Sequence, residues 1–554
     1  MKEISILIGG QAGFGIDRAS MVIGRILNKL GYRVYISRDY PSLIRGGHTF
    51  SIIRAAKDRV AALQKKIDFI LALNQETLDL HRGELKKGCM CIYDSDETKE
   101  ISGVCCLGLG LGKILKEENA PQVMLNTCMI GALTKAIGIS FEVLKAILEK
   151  EFSTATDLNL KVAKRGFDEA KELLKVEPLG QDSLPLLTGN QATALGLIKG
   201  GLDAYIAYPM TPSSPILHYL AGVAADFGLD VVHPESEISV ILMALGYAYS
   251  GKRAAVGTSG GGFCLMTEAL SLSGMAELPI VIVLGQRPGP STGLPTYSAQ
   301  TELYFALNAG QGEFSRFIVA PADTEEAYYW SAIAMDLSWK YQIPSIVLTD
   351  KDMGESVFNF DRAMAGEIPQ IKPFLWDKKS PYKRYLFTEN NVSPLAFVPC
   401  KDEILKVNSY EHDELGITTE DSRISTLMQE KRLGKEKNLA EELENIKTVN
   451  VYQGQANDIA LLCWGSNKGV CVEVGQKLGL KVIQPVVLNP FPIRQLRQAL
   501  SGVNKLISVE SNATGQLARL VDSYGIRVDE QVLKYDGRQL RVEELEKKIK
   551  EVIR

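Results

Sequence analysis

The chain has 554 residues, 45% hydrophobic and 23% charged, with a formal net charge of -4 at pH 7. At roughly 150 residues per domain this length predicts three or four domains, and the charge balance argues against a nucleic-acid partner. The start MKEISILIGG lacks the apolar core of a signal peptide, and runs such as the one near Ile280 are too short to span a bilayer. We expect a cytoplasmic protein with no nucleic-acid partner and no membrane contact.

The first region opens with an apolar run from Ile4 to Ile8, the glycine-rich turn GGQAGFGID and the helical pattern ASMVIGRILNKLG. This order is typical of a strand, a phosphate-type loop and a helix. YRVYISRDY and FILALN follow as further strands, the second of them parallel, so residues 1–180 are predicted to form a doubly wound α/β domain. The loop has Ala12 where the dinucleotide fingerprint has its second glycine, which disfavours a dinucleotide.

A stretch containing Pro178, Gly180 and Pro185 is typical of a linker and gives a boundary near residue 180. Beyond it, the strands AYIAY, RAAVGTS and PIVIVLG alternate with helical patterns, which predicts a second α/β domain over residues 181–360. Residues 361–449 are an irregular crossover with one charged surface helix, RISTLMQEKRLGKEKNLAEELENIK. The strand and helix rhythm returns at Asp458, so a third α/β domain is predicted over residues 450–554.

The nine cysteines do not have the spacing of an iron-sulfur site. Cys89 and Cys91 are one residue apart, Cys105 and Cys106 are adjacent, and the others are scattered among apolar residues. Because no C-x-x-C-x-x-C run is present, we expect free or buried thiols and no metal site in this chain.

Three motifs follow predicted strands of the second domain. In YPMTPSSP, Pro212 stands at the predicted first helical position and Thr211 or Ser213 can cap the helix, although an ordinary capped turn would explain this motif alone. Glu235 and Glu237 precede an apolar helix, either as solvated first-turn acids or as acids kept for chemistry. In VGTSGGGF, the glycine backbone can approach a planar ring or an anion closely, but such loops are common.

In this order, TPSS, the Ser-Glu pair, TSGGGF and VIVLGQRPGPSTGLPT resemble the pyrimidine-binding domain of the 2-oxoacid:ferredoxin oxidoreductase family. GGQAGFGID and RGGH, from Arg45 to His48, resemble the gamma subunit of that family, and WGSNKG and NPFP its transketolase C-terminal-like domain. The resemblance covers essentially the whole chain, as a gamma-alpha fusion that occurs notably in 2-oxoglutarate enzymes. It implies three doubly wound α/β domains: a gamma-type domain, a pyrimidine-binding domain and a transketolase C-terminal-like domain.

The resemblance also implies roles for individual residues. Glu237 matches the catalytic glutamate that activates the cofactor at N1′ of its aminopyrimidine, which leaves Glu235 as a structural acid. Arg287 matches the arginine that binds the substrate carboxylate through two parallel hydrogen bonds. The other implied contacts are Thr211 and Ser213 to the substrate, Pro209, Thr258, Ser259 and Gly260 to the cofactor, and a closing loop at Ser291, Thr292 and Gly293.

No G-D-G motif for magnesium and diphosphate is present in the sequence. The resemblance therefore implies that this chain binds the pyrimidine side of thiamine diphosphate, while Mg²⁺ and a [4Fe-4S] cluster belong to a partner beta subunit. The expected assembly is a dimer of alpha-beta heterodimers, with coenzyme A as co-substrate and ferredoxin as electron partner.

The leading prediction is a catalytic alpha subunit for the oxidative decarboxylation of 2-oxoglutarate to succinyl-CoA, or the reverse reductive carboxylation. Pyruvate or a branched-chain 2-oxoacid is the alternative substrate. Alternatives of another class are a non-redox transketolase-like transferase subunit and a non-catalytic nucleotide-binding scaffold built on the Gly9 to Gly15 loop.

Overall fold

The computed structural model describes residues 3–43, 46–99, 104–401, 403–454 and 456–553. Arg45, part of the predicted gamma-like signature, lies outside the described residues. The chain divides into two compact units: Met1–Leu187 with Ser356–Asp361 and Leu540–Lys547, and Thr188–Glu355 with Arg362–Gln539 and Lys548–Arg554. The finer domain boundaries drawn from the sequence stay predictions.

The elements up to the end of the first long segment are β1 (Glu3–Gln11), α1 (Ile16–Lys29), β2 (Arg33–Asp39), β3 (His48–Ala56), β4 (Ile67–Ala72), α2 (Gln75–His81), β5 (Leu85–Asp94), β6 (Cys105–Leu109), α3 (Leu111–Glu117), α4 (Leu125–Ala136), α5 (Phe141–Glu151), α6 (Thr156–Glu169) and β7 (Leu186–Thr188). Short 3-10 turns lie at Arg82–Glu84 and Gln122–Met124.

The next elements are α7 (Gly189–Lys199), β8 (Ala204–Ile206), α8 (Ser214–Phe227), β9 (Asp230–Val232), α9 (Glu237–Tyr249), β10 (Ala254–Ser259), α10 (Gly260–Ala276), β11 (Ile280–Gln286), α11 (Leu303–Asn308), β12 (Phe317–Val319), α12 (Thr324–Tyr341), β13 (Pro344–Asp350), α13 (Lys351–Glu355) and β14 (Val357–Asn359). The last are α14 (Ser422–Leu443), β15 (Val449–Tyr452), β16 (Ala456–Cys463), α15 (Asn467–Leu478), β17 (Leu480–Pro485), β18 (Val487–Asn489), α16 (Ile493–Ala499), β19 (Lys505–Glu510), α17 (Gln516–Asp522), β20 (Glu530–Leu533) and α18 (Val542–Val552).

The sheet of the first unit is mixed, in the order β6-β5-β4-β1-β3-β2-β14-β7. β4 is parallel to β1, as predicted, but β2 and β1 both pair antiparallel with β3, a strand that the sequence did not reveal. The short segment 40–47 between β2 and β3 explains this, because a parallel connection needs a crossover of a dozen or more residues.

The second unit contains a seven-stranded sheet in the order β18-β12-β13-β11-β10-β8-β9, in which β18 is the antiparallel member. Successive residues of β11 point to opposite faces: Val281 and Val283 belong to one buried cluster, and Ile282 and Leu284 to another. Helices cover both faces, which is why these strands are continuously apolar in sequence.

The charged helix α14 differs from its prediction as a surface helix. One face of it is buried, including Met428, Lys431, Lys435 and Leu439. The buried lysines contact the buried carboxylate of Glu277, with Lys431 Nζ 2.6 Å from Oε1. The sequence of α14 did not predict its buried face, because Glu277, which compensates the buried lysines, lies far away along the chain.

A five-stranded sheet in the order β15-β17-β16-β19-β20 closes the second unit, with β15 as its antiparallel edge. The predicted α/β fold class is confirmed, and the described residues form three sheets. Within the described residues, no helix combines the length and apolar character needed to cross a membrane.

Candidate active site

The candidate site lies at the carboxyl ends of adjacent parallel strands β9, β8, β10 and β11. This edge is where open α/β sheets bind ligands, because the loops that follow neighbouring strands converge there. Each motif singled out in the sequence follows one of these four strands.

The TPSS turn connects β8 to α8, which begins at Ser214 and not at Pro212 as the sequence predicted. The Ser213 hydroxyl is buried and donates to the Met210 carbonyl over 2.9 Å, and it does not cap the helix. Asn190 Nδ2 donates to the Pro212 carbonyl over 2.9 Å. These two hydrogen bonds to backbone carbonyls hold the turn in place. Pro209, which precedes the turn, is exposed.

Arg287 and Thr211, both predicted to bind the substrate, are in direct contact. Arg287 Nη1 donates to the Thr211 carbonyl over 3.0 Å, and Arg287 is only 9% exposed. Burial lowers the pKa of Arg287, and the nearby Glu302 carboxyl acts in the opposite direction. Among the described residues no carboxylate forms a salt bridge with this guanidinium, which leaves further donors for an anionic ligand.

Glu235 and Glu237, two residues apart, lie in opposite environments. Glu235 is exposed, and the hydrogen bond from the Ser239 hydroxyl, 2.7 Å long, lowers its pKa. Glu237 is the first residue of α9 and is 5% exposed. No hydrogen bond from the described residues reaches the Glu237 carboxylate. Of the two acids, Glu237 is therefore the buried one whose carboxylate is left without a partner among the described residues.

The TSGGG turn leaves room for Glu237. A Cβ atom on Gly262 would lie 2.5 Å from Glu237 Oε1 and 2.1 Å from the Thr258 hydroxyl, so only glycine fits there. Thr258 and Ser259 are fully buried at the end of β10, and the Ser259 hydroxyl has no hydrogen-bond partner in the described structure.

These features fit the pyrimidine side of thiamine diphosphate. Glu237 is a buried residue whose carboxylate receives no hydrogen bond from the described residues, and the buried Ser259 hydroxyl has no partner there. Beside glycines that bring the backbone close, these groups suit a flat nitrogen heterocycle with several hydrogen-bonding atoms. Within the described chain no group of three or more His, Cys, Asp or Glu side chains is arranged for a metal ion. The nine cysteines are free thiols.

The loop at Ser291, Thr292 and Gly293 is exposed, and the Ser291 carbonyl lies 3.9 Å from a Cβ placed on Gly261. The loop therefore reaches the first turn of α10. Sequence reasoning missed Gln286 and Glu302. The backbone amide of Glu302 donates to the side-chain oxygen Oε1 of Gln286 over 3.0 Å. No local pattern signals this pair, because the loop must first fold back on the strand.

In the first unit, the Gly9 to Gly15 loop borders a cavity of about 540 Å³. Its ionisable lining comprises Asp94, Asp96 and Glu97 against Lys116. Asn126 Nδ2 holds the loop by donating to the carbonyls of Phe14 and Gly15. An acidic lining of this kind does not favour a pyrophosphate, which agrees with the absence of the dinucleotide fingerprint.

Comparisons with known proteins identify the family of the chain. Residues 195–431 match the family model described as pyruvate flavodoxin/ferredoxin oxidoreductase, thiamine diP-bdg, and residues 5–169 match pyruvate ferredoxin/flavodoxin oxidoreductase. The alpha subunit of 2-oxoacid:ferredoxin oxidoreductase from Saccharolobus solfataricus is 30% identical, over 100% of this chain and 98% of its own length.

The 2-oxoglutarate oxidoreductase subunit KorA of Mycobacterium tuberculosis is 26% identical, over 94% of this chain and 87% of its own. The solved 2-oxoglutarate:ferredoxin oxidoreductase from Magnetococcus marinus, with 2-oxoglutarate, coenzyme A and succinyl-CoA bound, superposes with a TM-score of 0.90 at 29% identity, over 100% of both chains. The predicted family is thus confirmed. The chain belongs to the alpha subunits of the 2-oxoacid:ferredoxin oxidoreductases.

Proposed function

We propose that this chain provides the activating and substrate-binding half of a thiamine diphosphate site that converts 2-oxoglutarate and coenzyme A to succinyl-CoA, or runs the reverse reductive carboxylation, in exchange with ferredoxin. The observation that carries the proposal is the buried carboxylate of Glu237 against Gly262. Arg287 and Thr211 follow β11 and β8, which lie on either side of β10 in the same sheet, and Arg287 Nη1 donates to the Thr211 carbonyl.

When bound, thiamine diphosphate supplies a carbon nucleophile that allows the bond between the carboxylate and oxo carbons to break. Glu237 would hold a proton against N1′ of the pyrimidine, since its carboxylate is buried and has no internal partner. Thr258, Ser259 and Gly260 would contact the ring from the end of β10, and Pro209 would flank it. The glycine turn lets the ring approach the backbone.

Arg287 would bind the carboxylate of the 2-oxoacid, because a buried guanidinium forms charge-assisted hydrogen bonds to a carboxylate. Its bond to the Thr211 carbonyl fixes its direction, and the Thr211 and Ser213 side chains would border the same substrate. The similarity to the Magnetococcus marinus and Mycobacterium tuberculosis proteins supports 2-oxoglutarate as the substrate. Pyruvate or a branched-chain 2-oxoacid is the second candidate.

The two alternatives of another class are not favoured. Similarity over the full chain is to redox enzymes that act with ferredoxin, which argues against a non-redox transferase. The acidic cavity beside the Gly9 to Gly15 loop argues against a nucleotide-binding scaffold.

A partner beta subunit would supply Mg²⁺, the diphosphate site and the [4Fe-4S] cluster. An exposed apolar surface beside Glu237 supports such a partner: on α9 and α10 it comprises Ile238, Leu242, Met243 and Leu265. A half-site flanked by exposed apolar side chains fits a cofactor bound between subunits, and a dimer of alpha-beta heterodimers stays the expected assembly. The cytoplasmic location also stays a prediction.

The proposal is tested by purifying the chain with its native partners and measuring the reduction of ferredoxin or a viologen dye. We expect turnover with 2-oxoglutarate and coenzyme A to exceed turnover with pyruvate. Glu237→Gln should lower the turnover by about 10²- to 10⁴-fold.

Glu235→Gln is the matched control, because Glu235 is exposed and lies two residues away. It should leave the rate within about twofold of the wild type, as expected for a solvated surface change. Equal rates for the wild type and Glu237→Gln would refute the proposal.

A further inference from the structure

A second carboxyl group, that of Glu302, is buried at the same sheet edge and has no assigned role. Glu302 lies at the end of the loop that follows β11, directly before α11. Its backbone amide donates to Gln286 Oε1 over 3.0 Å, and the Thr301 hydroxyl donates to its Oε1 over 2.9 Å. Its Oε2 is buried and has no hydrogen-bond partner in the described structure.

Gly260 makes room for this carboxyl. A Cβ atom on Gly260 would lie 2.7 Å from Glu302 Oε1 and 3.0 Å from its Cγ. Gly262 does the same for Glu237. Two carboxyl groups therefore pack against glycines of the first turn of α10 that lie two residues apart, and cofactor activation explains only that of Glu237.

Glu302 is electrostatically coupled to Arg287 without being paired with it. Burial raises the pKa of Glu302 to about 7, while the hydrogen bonds of Thr301 and the field of Arg287 act to lower it. No salt bridge joins the two side chains among the described residues. The bond from the Glu302 amide to Gln286, the residue before Arg287, holds the two side chains in the same region of the sheet edge, and the Arg287 charge acts on the Glu302 carboxyl without pairing with it.

Other ionisable groups lie on the elements around Glu302. Glu237 is at the start of α9, and Asp350 on β13 is the register partner of Gln286. Arg519 of α17 lies over the Tyr304 ring, with 4.7 Å to its centroid. Arg287 is the charged group that acts on the Glu302 carboxyl.

We propose that Glu302 is a positioning residue of the substrate site, which takes up a proton from solvent on Oε2 when a 2-oxoacid carboxylate binds at Arg287. This inference rests on the proposed function. Two carboxylates beside one buried guanidinium repel each other, so the arriving anion removes the field that favoured ionised Glu302. The proton taken up balances the added negative charge and leaves Arg287 to the substrate.

The sign of the pH effect follows from this linkage. Below about pH 7 Glu302 is already protonated and the 2-oxoacid binds without proton uptake. Above that pH each binding event must protonate Glu302, so affinity falls as the pH rises. For a coupling of one pKa unit, the KM should rise by about tenfold over the one to two units above pH 7.

The test uses the assembled holoenzyme with 2-oxoglutarate and coenzyme A. KM and kcat are measured from about pH 6 to pH 8.5, and infrared difference spectra follow the protonated carboxyl. In the wild type we expect the KM to rise above pH 7 and a protonated carboxyl band to titrate over the same range. In Glu302→Gln, which mimics the neutral acid, the KM should stay near its low-pH value and the band should be absent.

A second variant keeps the carboxyl and alters its pKa. Thr301→Val removes a hydrogen bond that lowers the pKa of Glu302, so the rise in KM should move to higher pH. Glu268→Gln is the matched control, because Glu268 is exposed on α10, and it should keep the wild-type profile.

The outcomes separate this inference from the function on which it rests. If Glu302→Gln loses the infrared band but keeps the wild-type dependence of KM on pH, Glu302 is merely structural and the inference is overturned. If the wild-type complex turns over no 2-oxoacid, the proposed function itself fails.

Discussion

The Oε1 atom of Glu237 occupies the space in which a side chain of residue 262 would lie, 2.5 Å from a Cβ atom built on Gly262. The neighbouring Gly261 has open space around it. The nearest atom to a Cβ placed on Gly261 is the Ser291 carbonyl oxygen, at 3.9 Å. Two adjacent glycines in one turn therefore have different physical roles.

Gly262→Ala should displace the Glu237 carboxylate. Overpacking of this kind costs about 1–3 kcal/mol of stability, and misplacing a catalytic group by an ångström can cost roughly 10²-fold in rate. Ferredoxin reduction by the assembled complex, with the thermal midpoint measured in parallel, checks both effects. Gly261→Ala is the control, and a rate for it as low as that of Gly262→Ala would contradict this account.

Arg287→Lys should raise the KM for the 2-oxoacid by about tenfold to a hundredfold with a smaller effect on kcat, because lysine cannot form two parallel hydrogen bonds to a carboxylate. Steady-state kinetics with 2-oxoglutarate tests this.

Thr211→Val distinguishes the contribution of the Thr211 hydroxyl to substrate binding from that of Arg287. Arg287 is held by the backbone carbonyl of residue 211, so this variant keeps the anchor and removes only the hydroxyl. Its KM should rise less than that of Arg287→Lys, and the reverse ranking would argue against Arg287 as the carboxylate-binding residue.

The site residues that come directly after a strand were predictable from the sequence. Apolar runs gave the strands β8, β10 and β11, and the carboxyl-end rule placed Thr211, Gly260 and Arg287 at one edge. The contact between Arg287 and Thr211 joins motifs that lie far apart in sequence. It could be anticipated because β8 and β11 flank β10, so the motifs that follow them meet at the same sheet edge.

The burial of polar side chains against residues far away in sequence could not be predicted. The Oε2 atom of Glu302 is buried only because its loop folds back on Gly260, and Lys431 and Lys435 are buried only because Glu277 meets them. In each case the local sequence is polar and predicts an exposed side chain. The side chain is buried because a residue far away in sequence compensates its polar group.

The Glu277 cluster makes a prediction about stability and pH. Burial alone would raise the pKa of Glu277, but Lys431, Lys435 and Arg384 outweigh it and hold the pKa below its usual range. A carboxyl whose pKa is depressed by folding adds stability above its ordinary value of 4.5, and that stability is lost as the pH falls toward the depressed value. The thermal midpoint should therefore drop below about pH 4.5.

Glu277→Gln should destabilise the protein by about 3–5 kcal/mol at neutral pH, because two lysines stay buried without their acid. The variant should also lose much of the drop in thermal midpoint at acid pH. Burial lowers the pKa of Lys435 to about 7 even though Glu277 acts to raise it, so without Glu277 the pKa of folded Lys435 falls further. Raising the pH from 7 toward the ordinary lysine value of 10.5 should therefore partly restore the variant, because the unfolded chain then loses its advantage in binding this proton. A variant as stable as the wild type at pH 7 would show that the cluster is not needed for folding.

The glycine loop of the first unit offers a comparison between two residues with the same backbone handedness. Gly13 and Gly15 both have positive φ, at 98° and 70°, but a Cβ on Gly15 would lie 2.5 Å from Asn126 Nδ2, while nothing lies within 4 Å of one on Gly13. Gly13→Ala therefore reports backbone strain alone, about 1–2 kcal/mol. Gly15→Ala adds loss of the hydrogen bonds from Asn126, and amide exchange in α1, which Gly15 precedes, should be faster than in Gly13→Ala. Equal exchange in the two variants would mean that Asn126 does not hold the start of that helix.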